Sequence, residues 1–429
     1  MRAGSVFAGL AVLCLLSTAA RAATATAAAP LSTPARDLLA RFRPSVVQIR
    51  TFYGSNAAEA SHGTGFAVMH GGVLLTNYHV VADAILYPQK YRMEYRTPEE
   101  LTGAIQVLAI DVRDDLALVR ATGIDPEPLE IRTDVPARGE HVYSLGYPLD
   151  LGYIITEGVA NGLDEHTIEP RLYYSGALNP GMSGGPTVDA SGAVVGINDS
   201  TSREGELLSF LVPARFVPDL LAHARSSLDP QAVTLEVTRQ LQAHVKTMLG
   251  EIPAQWEVQA ISGYRLPAKL APYFTCYAGG DTDPNLPVHA QRMTCSTRAG
   301  LFVQEGLSSG DLFFEHTVLV SERLGPVRFA NRLSSYAAGE AGDIEGSARH
   351  VTPYSCERET LKLRTLDVAV RICARGYRLY EGLYDFTATA VSLNQPLRGV
   401  VTSLNISGAG FDDGMAFIHR YLGALQWTP

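Results

Sequence analysis

From Pro44 to about residue 215 the chain is written in short apolar runs of strand length, each closed by Gly, Pro or Asp, with almost no helical periodicity. Val46–Arg50, Gly65–Met69, Gly72–Thr76, Leu116–Arg120, Val142–Leu145 and Ala193–Ile197 are such runs. Many short strands broken by frequent turns must close on themselves or stack to hide their edges, so this stretch predicts a β-barrel or β-sandwich. Asp37–Arg43 can add one or two helical turns before it, and residues 213–228 read as a closing helix. A second helix is expected from about Pro230 to Leu249. Val233, Val237, Leu241, Val245 and Met248 recur there at helical spacing, with Gly250 as its cap. Strands return at Leu312–Val320, Leu361–Ile372, Leu383–Val391 and Val400–Ile406, and Asp412–Leu425 reads as a final helix with an N-capping aspartate.

The beginning of the chain bears on its compartment. Arg2 precedes a short apolar run, Val6–Leu16, and Ala20-Arg21-Ala22 places small residues where a signal peptidase reads. Residues 1–22 are therefore expected to be a removable secretion signal. Residues 23–36 follow as an Ala/Thr/Pro-rich linker, then a first domain over 37–228 and a second over 229–429. No later segment reaches the ~18 apolar residues of a membrane span. Apart from Cys14, the cysteines are Cys276, Cys295, Cys356 and Cys373, an even set confined to the second half. In an exported chain these read as two disulfides, with the local pairs Cys276–Cys295 and Cys356–Cys373 preferred among three connectivities. A net charge of -9 without clustered Lys and Arg argues against a nucleic-acid partner.

Three motifs carry chemistry. Thr76-Asn77-Tyr78-His79-Val80-Val81 puts a histidine just after an apolar strand. Asp114-Asp115-Leu116-Ala117-Leu118-Val119 puts an acid at the start of another. Asn179-Pro180-Gly181-Met182-Ser183-Gly184-Gly185-Pro186 sets a serine in a glycine-rich loop. A serine hydroxyl attacks only if a base takes its proton. Histidine can accept and return that proton near neutral pH, and a carboxylate behind it fixes the tautomer. Glycines around the serine let amides turn toward a developing oxyanion, the N–H groups of Gly181 and Ser183 being the natural pair. The histidine or the acid alone is a weak sign. The serine loop is a strong one, and the order His, Asp, Ser over about a hundred residues of β-rich sequence points to a catalytic triad.

These residues resemble the trypsin-like serine proteases of the HtrA/Deg type from about residue 38 to 220. Leu39–Val47 is similar to that family's leading helix and first strand. Gly63-Thr64-Gly65-Phe66 resembles a strand start, Gly139–Pro148 and Glu157-Gly158-Val159 the turn and strand before the serine loop, and Ser209–Pro213 a pocket-closing strand. The resemblance implies a double β-barrel with the cleft between barrels. His79 and Asp115 then lie on the first and Ser183 on the second. It also selects Asp115 over Asp114, because Asp115 abuts the Leu-Ala-Leu-Val strand.

The position six residues before Ser183, at the base of the first specificity pocket, is then Ala177, with Leu207, Leu208 and Ser209 along its wall. No carboxylate stands there, so small or medium apolar residues are expected before the scissile bond. Met182 replaces the usual Asp or Asn, and no Ile-Val-Gly-Gly-type new N-terminus is visible, so the chain is not expected to be a cleavage-activated zymogen. Gly300-Leu301-Phe302-Val303-Gln304 resembles a PDZ strand only superficially, and the second half is expected to be a β-rich α+β domain without a PDZ fold.

The sequence as a whole is expected to encode an exported, periplasmic or secreted serine endopeptidase. It would act on unfolded or extended protein segments through an acyl-enzyme, with no metal or organic cofactor. The isolated His62, His70 and His141 support no metal cluster. The alternative is a catalytically silent peptide-binding module on the same fold, with the second domain recruiting a partner.

Overall fold

A computed structural model describes residues 31–55, 59–164, 167–201, 208–297, 300–339, 344, 346–393 and 395–428. The expected secretion signal and Leu207 lie outside them. The short strands do close. Val46–Tyr53, Glu59–Met69, Val73–Thr76, Leu116–Ala121, Thr102–Asp111 and Tyr91–Arg96 form one closed antiparallel barrel. Pro186–Val188, Val194–Thr201, Ser209–Pro213, Leu172–Tyr174, Ile154–Leu163 and His141–Gly146 form a second. Val46, Phe66, Leu75 and Leu118 from the first barrel and Leu145, Ile197 and Val212 from the second share one apolar cluster between the barrels.

The helices depart from expectation in places. The leading helix starts at Thr33, inside the expected linker, because the Ser32 hydroxyl caps the Ala35 amide and Pro34 suits the first turn. Residues 213–228 hold only a 3-10 turn at Ala214–Phe216 and a short helix at Val217–Ala222. The histidine does not follow its strand in extended chain. It opens a helix, Tyr78–Leu86, whose apolar residues Tyr78, Val81 and Ala82 are fully buried. The final helix is Phe411–Gly423. Gly410 holds the N-cap position, and Asp412 and Asp413 lie in the first turn, where their charge suits the helix dipole.

The second half is a seven-stranded antiparallel sheet. Its order is Phe274–Gly280, His289–Thr297, Leu312–Val320, Arg398–Ala409, Tyr384–Ser392, Asp367–Gly376, Ser355–Lys362. Alternation along the central strand feeds two layers. Val400, Leu404 and Ile406 pack toward the final helix residues Phe417, Ile418 and Tyr421. Val401 packs toward Phe329 and Leu333 of the helix Pro326–Gly339. Disulfides join Cys276 to Cys295 and Cys356 to Cys373, each between paired neighbours of adjacent strands. Among the described residues no helix is long and apolar enough to cross a membrane.

The two halves meet through the helix Pro230–Glu251, begun by an Asp229 cap on the Ala232 amide. At 1.5 Å per residue it runs for about 33 Å. Its single apolar stripe serves two cores. Val233, Val237 and Leu241 join Val47, Ile49, Tyr78 and Val81 of the first barrel. Val245, Met248 and Leu249 join Phe314, Phe386 and Phe417 of the large sheet. Replacing Leu241 by Ala is expected to cost about 2–5 kcal/mol in urea unfolding, the range for emptying a packed core site. A loss below about 1 kcal/mol would mean that helix and barrel are not packed together.

Candidate active site

The histidine and the acid are brought together by backbone as much as by side chains. Asp115 has φ 55, in the left-handed region, which Asp tolerates better than most residues. This turn lets its carbonyl accept from Tyr78 N at 3.1 Å and Asn77 Nδ2 at 2.8 Å. Its carboxylate then reaches His79 twice, Oδ1 accepting from the backbone N–H at 2.9 Å and Oδ2 lying 2.6 Å from Nδ1. An ionised carboxylate can only accept, so Nδ1 carries the proton and Nε2 is left as a base. Asp114 is turned away and bonded to Arg113 at 2.9 Å. Burial and the nearby Asp111 push its carboxyl up to about 6 against the pull of Arg113.

The serine loop is a type II turn. Met182 N donates to Asn179 O at 3.0 Å, with Pro180 and Gly181 at the central positions and Gly181 at φ +98. A Cβ on Gly181 would lie 2.3 Å from Tyr147 O, and one on Gly184 would lie 2.3 Å from Thr64 O, so both positions require glycine. The turn is pinned from outside. Leu149 N donates to Pro180 O at 2.9 Å, Thr64 Oγ1 to Gly181 O at 2.7 Å, and the buried Asn198 side chain to Met182 O at 3.2 Å. Among the described residues the amides of Gly181 and Ser183 donate to no acceptor. Met182 is fully buried and packs with Tyr174, Val195 and Leu211 inside the second barrel, filling core where no charged partner is needed.

Ser183 Oγ donates to the carbonyl of Asp199 at 3.0 Å, and among the described residues no hydrogen bond joins it to His79. Asp199 ends the run Gly196-Ile197-Asn198-Asp199, and sequence reasoning passed over it. Its carboxylate accepts from Arg171 Nε at 2.9 Å and stands beside the His79–Asp115 pair, with ligand atoms of His79, Asp115 and Asp199 all within 4.8 Å. Among the described residues this is the grouping tight enough to suggest a metal. Its donors are already engaged, Asp115 by His79 and Asp199 by a guanidinium that repels cations. Burial opposes the imidazolium of His79, but the charge and hydrogen bond of Asp115, and then Asp199, outweigh it and raise its pKa above the ordinary value. Burial also raises the Asp199 carboxyl, opposed by Arg171 and reinforced by Asp115.

His79, Asp115, Arg171, Asp199 and Leu208 line one cavity of about 1040 Å³. Ser209 is buried behind it with its hydroxyl on Gly176 O at 2.8 Å, and Ala177 is half-buried beside Gly176, outside the lining. His62 lies against the serine loop, 2.7 Å from where a Gly181 Cβ would be, while His70 and His141 stay exposed on the surface. Phe302 of the second half also reaches the site, its ring 5.9 Å from the His79 ring and edge-on.

Residues 63–197 match the family model of the trypsin-like peptidase domain. Serine protease HTRA1 of Xenopus laevis is 29% identical over 204 residues, covering 44% of this chain and 43% of the relative. A probable periplasmic serine endoprotease DegP-like of Pseudomonas putida (strain W619) is 33% identical over 177 residues, covering 39% and 35%. The Rv3671c protease of M. tuberculosis, crystallised in an active form, is 25% identical with a TM-score of 0.40, covering 47% of this chain and 90% of that one. The chain thus carries a trypsin-like peptidase domain similar to those of HtrA and DegP-like serine proteases, and it spans less than half the length of the HTRA1 relative.

The second carboxylate beside His79, Asp199, leads to a testable expectation. Asp199→Asn removes one of the charges that raise the His79 pKa and leaves Arg171 uncompensated beside it. The NMR titration midpoint of His79 is expected to move to lower pH. An unchanged midpoint would show that Arg171 already cancels Asp199 at the imidazole.

Proposed function

We propose that this chain is a serine endopeptidase in which Ser183 attacks, His79 acts as general base and Asp115 orients it. The observation that carries this reading is the 2.6 Å contact of His79 Nδ1 with Asp115, which leaves Nε2 basic beside Asp199, the residue whose carbonyl accepts the Ser183 hydroxyl. The serine hydroxyl turns from Asp199 O to His79 Nε2. Its proton passes to Nε2 as Oγ bonds to the peptide carbonyl carbon, and the resulting oxyanion is held by the Gly181 and Ser183 amides. His79 then hands that proton to the leaving amine as the C–N bond breaks. Water repeats the sequence to release the acid and free the serine. Residues 37–228 act as the protease domain on this reading, and residues 229–429 as its disulfide-bearing companion.

Unfolded or extended polypeptide segments are the proposed substrates, and the periplasm or the medium outside the cell the proposed compartment. Ala177, Leu208 and Ser209 present no carboxylate to a basic side chain. A peptide-library profile is therefore expected to be led by small or medium apolar residues before the scissile bond, and one dominated by Arg or Lys would contradict this assignment.

The bond from Ser183 Oγ to Asp199 O favours a second reading, a peptide-binding module whose serine stays unengaged. Fluorophosphonate labelling of the purified protein separates the two. Labelling that disappears in Ser183→Ala and His79→Ala, with turnover down on the order of 10⁶-fold in the serine variant, is the outcome expected of a working triad. Absence of labelling in the unaltered protein, with unfolded protein added, would favour the binding module.

A further inference from the structure

The catalytic cleft is not walled by the two barrels alone. The hairpin Leu301–Gln304 and Leu307–Ser309, more than a hundred residues beyond Ser183, lies against the helix that carries His79. Phe302 is only half-buried and faces the cleft, its ring 6.3 Å from Tyr78 and 5.9 Å from His79, edge-on to both. It lines the 1040 Å³ cavity and, with Ser296 and Thr297, also lines a neighbouring cavity of about 500 Å³ within the second half. Phe302 therefore stands where the catalytic cleft continues into the second half.

The hairpin is held in place by buried polar contacts. Tyr78 Oη donates to Val303 O at 2.8 Å and Tyr380 Oη to Gln304 Oε1 at 2.9 Å, while Leu301, Val303 and Leu307 are buried in the core shared with the first barrel. A substrate positioned for reaction brings its carbonyl carbon to about 3–3.5 Å from Ser183 Oγ and its leaving nitrogen within about 3 Å of His79 Nε2. A side chain flanking that bond then passes beside the His79 ring, where the Phe302 edge already occupies space.

Resting on the endopeptidase reading, we infer that Phe302 is a specificity-determining residue, a wall supplied from outside the barrels that limits the size of one substrate side chain flanking the scissile bond. The occupant is an extended peptide with a small residue at that position. One or two methylene groups of misfit in such a site are worth about tenfold or more in discrimination.

The test uses the full-length chain and peptide libraries varied at the two residues on either side of the bond. Phe302→Ala is expected to raise kcat/KM for bulky over small side chains about tenfold at one position. Phe302→Trp shifts the same ratio the other way, and Phe302→Leu, the mildest change for the fold, gives an intermediate profile. Profiles that are superimposable across the variants, or activity that falls equally for every peptide, would overturn the wall while leaving the endopeptidase intact. An unaltered protein that cleaves no peptide and takes no fluorophosphonate label would overturn the endopeptidase reading, and the wall with it.

Discussion

One apolar stripe on the helix Pro230–Glu251 is the constraint around which the molecule is arranged. Because its first half is buried in the first barrel and its second half under the large sheet, each core is completed by the same rod. Six stripe residues buried at about 1.5–3 kcal/mol each are a large part of the usual margin of a domain. The polar face of the same helix reaches the segments around the candidate active site. Gln240 donates to Ile110 O at 2.9 Å and accepts from Val112 N at 2.6 Å, holding the chain that leads into Asp115. His244 Nδ1 lies 2.9 Å from Glu169 Oε1, both side chains buried, two residues from Arg171. With Tyr78 on Val303, the segments bearing His79, Asp115 and Arg171 are each tied to the second half.

Electrostatics explains why a second carboxylate is tolerated beside the histidine. Two carboxylates in a partly buried cleft repel, and leaving either unpaired would be costly. The Asp115 carboxylate accepts from the backbone N–H and the ring Nδ1 of His79, while Asp199 takes the guanidinium of Arg171. The arrangement divides the labour. Asp115 sets orientation through short hydrogen bonds, and Asp199 contributes charge and, through its carbonyl, a resting partner for the serine hydroxyl. Met182 completes the contrast, since the second barrel fills with a thioether side chain what a charged activation contact would need to keep polar.

Much of this was legible from residues alone, for identifiable reasons. Strand-length runs punctuated by Gly, Pro and Asp pointed to a β-barrel or β-sandwich, and only the resemblance to trypsin-like proteases implied two barrels. The serine loop was readable because Pro180, Gly181 and Gly184 are demanded by backbone geometry that few other residues satisfy. The stripe of the bridging helix was visible as a packing face, but not that it packs on two partners. Periodicity says which side is apolar and nothing about what covers it. The helix at His79 escaped because a strand and the short apolar helix Tyr78–Leu86 read alike in a single sequence. Arg171, Asp199 and Phe302 escaped for a different reason. Their roles come from closure of the second barrel and from a hairpin far along the chain, and no local spacing encodes either.

The anchoring of the hairpin gives the cleft a mechanical character. Buried tyrosine hydroxyls stitch its Val303 carbonyl to the helix of the histidine and its Gln304 side chain to Tyr380, and its apolar residues are immersed in a core. Nothing in that arrangement resembles a hinge. A surface so fixed chooses among visitors by refusing those that do not fit, before any of them can reshape it. Selection of this kind belongs to the folded architecture itself and is present before the first encounter.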